Sequence, residues 1–337
     1  MAIRYPAPLR PGDRIGVTAP SSGVPAALRP RLAFAVRTVR DRGFDVVEGA
    51  CLHSDGVVSA PAAERAAELQ AMLTDPAIRA VVPPWGGELA VELLPLLDLE
   101  AIGAAEPTWL VGYSDVSTLL VALTTRCGVA TLHAPNLLDT PYDLPAPLAP
   151  WHAVAATPPG GSVVQGPAAR HRGGGYDDWA QEPEITDPGL DAPTRWRRLD
   201  EDGPLHVRGR LIGGCIETVS VLAGTPFGDV APLAGDGLIV YVEASEQPAL
   251  DIARGLWRMR LAGWFDAATA VLVGRTHAPA SGAFTQDDAV RSALAGLGVP
   301  IVAGVDCGHV PPQLALVNGA PAELEVGERT RLVQRFV

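Results

Sequence analysis

Trp109-Leu110-Val111-Gly112-Tyr113-Ser114-Asp115 reads as a short apolar strand that runs through a glycine into the start of a helix. Beyond Asp115, the apolar residues Val116, Leu119, Leu120 and Leu123 recur at helical spacing, which puts Ser114 on a strand-to-helix turn. A buried strand feeding directly into a helix is the repeating step of a parallel α/β sheet. On such a turn a serine hydroxyl stands above the sheet edge, where the first N–H groups of the helix face developing negative charge. The plain alternative is an N-cap serine with no chemistry. The α/β-hydrolase pattern wants a glycine two residues after the serine; Val116 stands there, which disfavours an ordinary esterase fold.

The same alternation extends in both directions. Strands are expected at Arg14–Thr18, Phe44–Val47, Ile78–Val82 and Val129–Leu132, with helices over about 26–42, from Pro61, and near Leu89–Leu97. Gly43 suits a helix C-cap. From about Pro145 to Gly203 periodicity fades into Pro-Pro-Gly-Gly and Gly-Gly-Gly steps, which suits a functional loop crossing between domains. A second unit begins at Val207–Leu211, with strands at Leu238–Glu243, Ala270–Val273 and Val299–Ala303. Helices are expected at about Ala249–Ala262 and from Thr285, with two or three short strands at the end. The expected organisation is an N-terminal domain over 1–150, a crossing loop over 151–204 and a C-terminal domain over 205–337.

Composition narrows the function. The 337 residues are 47% hydrophobic and carry a formal net charge of −12, which argues against nucleic-acid binding. The start of the chain lacks a signal-like apolar stretch and no apolar run reaches spanning length, so a cytoplasmic protein that meets no membrane is expected. Cys51, Cys127, Cys215 and Cys307 are widely spaced, a poor pattern for zinc or a disulfide framework. All 26 basic residues are arginine; chemistry through a lysine Schiff base, a Ser-Lys dyad or a P-loop lysine is excluded.

Two residues are candidates to complete an apparatus with Ser114. Glu243 ends the apolar run Leu238–Val242; a carboxylate there needs a partner, either an arginine or an imidazole N–H. His309 lies in the turn-rich Gly308-His309-Val310-Pro311-Pro312, with His133 and His277 as competitors for the role of base. The Gly86-Gly87 pair after the Ile78–Val82 strand lets backbone approach a reacting carbonyl and, with the Asp115 N–H, is a candidate oxyanion hole.

Taken together these segments resemble the S66 serine peptidases, a family of LD-carboxypeptidases of murein recycling and microcin C self-immunity peptidases. The resemblance runs from Leu9-Arg10-Pro11-Gly12-Asp13-Arg14-Ile15-Gly16 and Ala19-Pro20-Ser21-Ser22 through Glu64–Leu69, Gly86-Gly87 and Gly112–Asp115. It continues through Gly209–Gly214, Val242–Glu246 and Asp306–His309. It implies that Ser114 is the nucleophile, Glu243 and His309 complete a triad, and Asp115 and Gly87 supply oxyanion N–H groups. It also implies a nucleophile-bearing parallel domain, a smaller mixed α/β domain supplying Glu243 and His309, a homodimer, and no metal or cofactor. Glu243–Pro248 and Asp306–His309 look more like the microcin-immunity branch, where a loop tryptophan stacks on a nucleobase; Trp179 matches best, with Trp196 as the alternative and Gly86 beside the substrate. The implied substrate is a small peptide or aminoacyl-nucleotide, with a murein tetrapeptide as the alternative. A non-catalytic two-domain binding protein is the rival from another class. Two positions depart from the family's usual pattern: Cys215 replaces an asparagine, and Leu316-Val317-Asn318-Gly319 replaces a leucine-proline-leucine-glycine run.

Overall fold

The computed structural model describes residues 1–201 and 203–337. Its two main sheets explain how distant segments converge. The first has six strands in the order Leu316–Asn318, Thr131–His133, Trp109–Gly112, Ile78–Val81, Arg14–Val17, Asp45–Glu48. All pair in parallel except Leu316–Asn318, which runs antiparallel to Thr131–His133. The second has eight strands around a parallel centre of Leu205–Cys215, Leu238–Glu243, Ala268–Gly274 and Ile301–Val305. Antiparallel strands flank that centre, including Ser162–Gln165 and Arg197–Arg198 from the crossing segment.

Helix Val116–Cys127 joins the two halves. Its first ten residues, Val116 to Thr125, are all buried, as expected for a helix with protein on every side. Leu119, Leu120 and Leu123 share one apolar core with Leu69 and Leu110 of the first unit and with Ile212, Ile216 and Leu256 of the second. The helix ends at Gly128, whose φ of 62° is the left-handed cap that glycine adopts without a Cβ clash.

Asn318 stitches the sheets. Its Oδ1 accepts from the Gly213 N–H at 3.1 Å and from the Tyr241 hydroxyl at 2.7 Å, while its Nδ2 donates to Thr131 Oγ1 at 3.3 Å. The departure at Leu316–Gly319 therefore places a fully buried amide where both sheets offer it partners.

One expected helix is corrected. Leu89–Leu97 is not an α-helix: Ala90–Leu93 forms a 3-10 turn, and a short helix starts at Leu99 behind the Asp98 cap. Pro95 lies in the middle of the apolar spacing, removes a backbone donor and breaks the run. The helix expected from Thr285 has a full capping box, Thr285 bonded reciprocally with Asp288.

Candidate active site

Gly112 and Ser114 make the elbow. Gly112 has φ 157°, and a Cβ there would stand 2.6 Å from Asn136 Oδ1 and 2.9 Å from Val116 Cγ1, so only glycine fits. Ser114 has φ 61°, the one non-glycine residue with positive φ among the described residues. Left-handed backbone at a residue with a Cβ is strained, and here it holds the hydroxyl at the carboxyl edge of the first sheet.

Glu243 and His309 arrive from the second unit. Glu243 ends its strand fully buried, and His309 follows the strand Ile301–Val305. His309 Nε2 lies 3.0 Å from Ser114 Oγ, and Nδ1 lies 2.8 Å from Glu243 Oε2. Gly308 has φ 94° and leaves no space for a side chain, since its Cβ would press on the Glu243 carboxyl. Burial pushes Glu243 up, but the charge and hydrogen bond of His309 outweigh it, leaving the carboxyl below its usual range. Burial likewise pushes His309 down, while the Glu243 charge and hydrogen bond bring it above its ordinary value. The pair thus favours a charged imidazolium–carboxylate, the arrangement that stabilises a base after it has taken a proton.

The glycine turn faces this hydroxyl. A Cβ on Gly86 would stand 2.7 Å from Ser114 Cβ, 2.8 Å from its Oγ and 3.0 Å from the Asp115 nitrogen. Gly87, at φ 141°, has no room either, because Ser21 and Ser22 crowd it. Gly86→Ala is expected to lower kcat by about 10²-fold, the cost of displacing a reacting group by about 1 Å, because its Cβ would force the turn away from Ser114. Steady-state kinetics beside a urea melt check this; unchanged kcat would remove the turn from the chemistry.

The Asp115 side chain has a role that local sequence does not reveal. Its buried Oδ2 accepts from Ser21 Oγ at 2.5 Å and from the Ala90 N–H at 2.7 Å. It ties the Ser21 turn and the segment after the double glycine to the elbow, fixing the approach of Gly86 to Ser114.

A second set of bonds holds the His309 loop. Arg275 donates to the Gly304 carbonyl at 3.1 Å, the Asp306 carboxylate at 3.0 Å and the Pro312 carbonyl at 3.3 Å. Trp196 donates to the other Asp306 oxygen at 2.6 Å and is itself buried. Trp196 is therefore placed as a loop support, with its indole packed inside. Trp179 is half-buried; its indole N–H donates to the Tyr142 hydroxyl at 2.7 Å, and the Arg31 guanidinium lies 5.0 Å from the ring centre.

The competing histidines do not meet the serine. His133 is buried with neither ring nitrogen bonded, near the Tyr241 and Tyr113 rings, and burial lowers its pKa to about 4. His277 is exposed and lines a cavity of about 450 Å³ with Arg195 and Arg275.

The sequence model of the LD-carboxypeptidase N-terminal domain, Peptidase S66, matches residues 15–134, and that of the LD-carboxypeptidase C-terminal domain matches residues 208–324. A Streptomyces coelicolor relative assigned to the carboxypeptidases is 31% identical over 340 residues, covering 98% of this chain and 96% of its own. The chain belongs to the S66 peptidase family. The family is one of carboxypeptidases, which are hydrolases. The S66 relatives also include the microcin C7 self-immunity protein of Escherichia coli, 26% identical over 332 residues, covering 95% of this chain and 92% of its own. A solved structure of that protein in complex with glutamyl sulfamoyl guanosine has a TM-score of 0.84 at 24% identity, covering 98% of this chain and 97% of that one. The two-domain α/β fold is shared along nearly the whole S66 chain.

Proposed function

We propose that this chain is a serine-type carboxypeptidase or amidase whose triad is Ser114, Glu243 and His309. The observation that carries the reading is the unbroken relay from Ser114 Oγ through His309 to a buried carboxylate, with the serine on a strained elbow. His309 Nε2 takes the Ser114 proton as Oγ attacks the amide carbonyl. The N–H groups of Asp115 and Gly87 hold the oxyanion, His309 returns the proton to the leaving amine, and water hydrolyses the acyl-enzyme. Every step is assigned to protein groups, without a metal or cofactor. In this reading residues 1–150 form the nucleophile domain, 151–204 the crossing segment and 205–337 the domain supplying Glu243 and His309. The protein acts in the cytoplasm as a homodimer.

The favoured substrate is an aminoacyl-nucleotide conjugate, supported by the microcin self-immunity relative and the sulfamoyl nucleoside bound to that protein. The test is hydrolysis, followed by mass spectrometry, of an aminoacyl-sulfamoyl adenosine and of a murein tetrapeptide ending in D-alanine. Cleavage of the adenosine conjugate alone supports the reading. Cleavage of the tetrapeptide alone replaces it with an LD-carboxypeptidase of murein peptides, and binding without turnover would make the chain a ligand-binding protein. Trp179→Ala should raise KM for the adenosine conjugate about 5- to 100-fold, the range for losing one stacked base, and leave KM for the tetrapeptide unchanged. Equal effects on both would remove Trp179 from nucleobase recognition.

A further inference from the structure

The Glu243 carboxyl is fully buried, and while Oε2 holds His309, Oε1 has no hydrogen-bond partner. A buried carboxylate oxygen without a partner is costly and calls for an explanation. Beside it lies Cys215, the residue standing where the family usually has asparagine. Its thiol is buried and donates to Glu217 Oε2 at 3.0 Å. Glu217 is in turn fixed by the N–H groups of Ser245, Glu246 and Gln247 on its other oxygen.

One ligand atom each from Cys215, Glu243 and His309 lie within 4.8 Å of one another. A thiolate, a carboxylate and an imidazole are a donor set for zinc, whose bonds of about 2.0–2.3 Å place tetrahedral ligands roughly 3.3–3.6 Å apart. Coordination therefore requires the three donors to draw together by roughly 1 Å. His309 is the partly exposed member, with 16% of its side chain open, and is the side of the cluster that meets solvent.

We infer that Cys215, Glu243 and His309 form an inhibitory site for one divalent transition-metal ion of the Zn²⁺ class. The Cys215 thiol releases its proton to solvent and binds as thiolate, and the unpartnered Glu243 oxygen and His309 Nδ1 supply two more bonds. Water from the cleft completes the tetrahedron. The effect on catalysis follows from the imidazole, and this part rests on the serine-peptidase reading. With Nδ1 on the metal, the neutral ring carries its proton on Nε2, facing Ser114. The lone pair that would take the serine proton is gone, and Glu243 no longer orients the ring.

Cobalt titration of the full-length protein tests the site. One equivalent of Co²⁺ should produce a near-ultraviolet sulfur-to-cobalt band and intense tetrahedral visible bands, and Zn²⁺ should displace both. Cys215→Ser should lose the near-ultraviolet band. The Zn²⁺ concentration that halves hydrolysis, relative to each variant's own metal-free rate, should rise at least about tenfold in Cys215→Ser. The other candidate cluster, His206, Glu323 and Glu325, is more exposed and has no sulfur, so it cannot give the near-ultraviolet band. A wild type without that band at saturating cobalt, or equal zinc inhibition in Cys215→Ser, overturns the proposal. The spectrum needs no substrate, so absence of turnover would count against the peptidase reading and leave the spectral result to decide the metal site.

Discussion

Ser114→Ala should lower kcat by roughly 10⁶-fold while leaving substrate binding nearly intact, the behaviour of a triad nucleophile in a site whose oxyanion donors and binding contacts remain. Ser114→Gly should be as inactive, yet the two variants should differ in stability. Ser114 sits at φ 61°, where an alanine Cβ keeps the left-handed strain and a glycine relieves it. Both variants lose the bond to His309, so comparing them isolates the backbone. The glycine variant should be more stable than the alanine variant by about 1 kcal/mol, read from urea unfolding. Residual activity above one part in a thousand in Ser114→Ala would sink the nucleophile assignment. Equal stability would mean that the elbow stores no strain.

The second large effect concerns Glu243. Glu243→Gln preserves shape but presents an amide to His309 Nδ1, which in serine-protease triads costs about 10⁴-fold through the wrong imidazole tautomer. The pH profile supplies a readout that simple misfolding would not. His309 is held above its ordinary pKa because the Glu243 charge and hydrogen bond overcome the lowering by burial; Glu217 and Asp139 add to the rise. Activity requires the neutral base, so kcat/KM falls as pH drops through that raised pKa. Removing the charge at 243 lets burial dominate and lowers the His309 pKa. The acid limb of the much-reduced profile should therefore move to lower pH. An acid limb that stays in place would assign it to another group, such as Asp139, whose pKa desolvation raises to about 6.

The residues of the proposed triad were legible because each ends or follows a strand with a clear apolar run. Leu238–Glu243 has the expected bounds, and the Trp109–Gly112 strand and Val116–Cys127 helix bracket Ser114 as their spacing predicts. The Leu89–Leu97 segment misled because apolar spacing alone does not register the donor that Pro95 lacks. The supports around the site were hidden for a different reason. Asp115 meets Ser21 across 94 positions and Trp196 meets Asp306 across 110, and neither pairing has a local pattern. The crossing segment has weak periodicity because its strands are as short as Arg170–His171 and Arg197–Arg198, too brief for alternation to register.

His309 belongs to a span anchored at both ends in different sheets: Ile301–Val305 lies in the eight-stranded sheet and Leu316–Asn318 in the six-stranded one. The ten residues between them act as a tether. A hinge motion that parted the halves to admit substrate would have to peel Leu316–Asn318 from Thr131–His133 and empty the Asn318 amide of its buried partners. A clamshell protein can trade openness for alignment; here the segment that carries His309 is strung across the joint. The two sheets should therefore keep a fixed mutual orientation, held by the strands at either end of that tether.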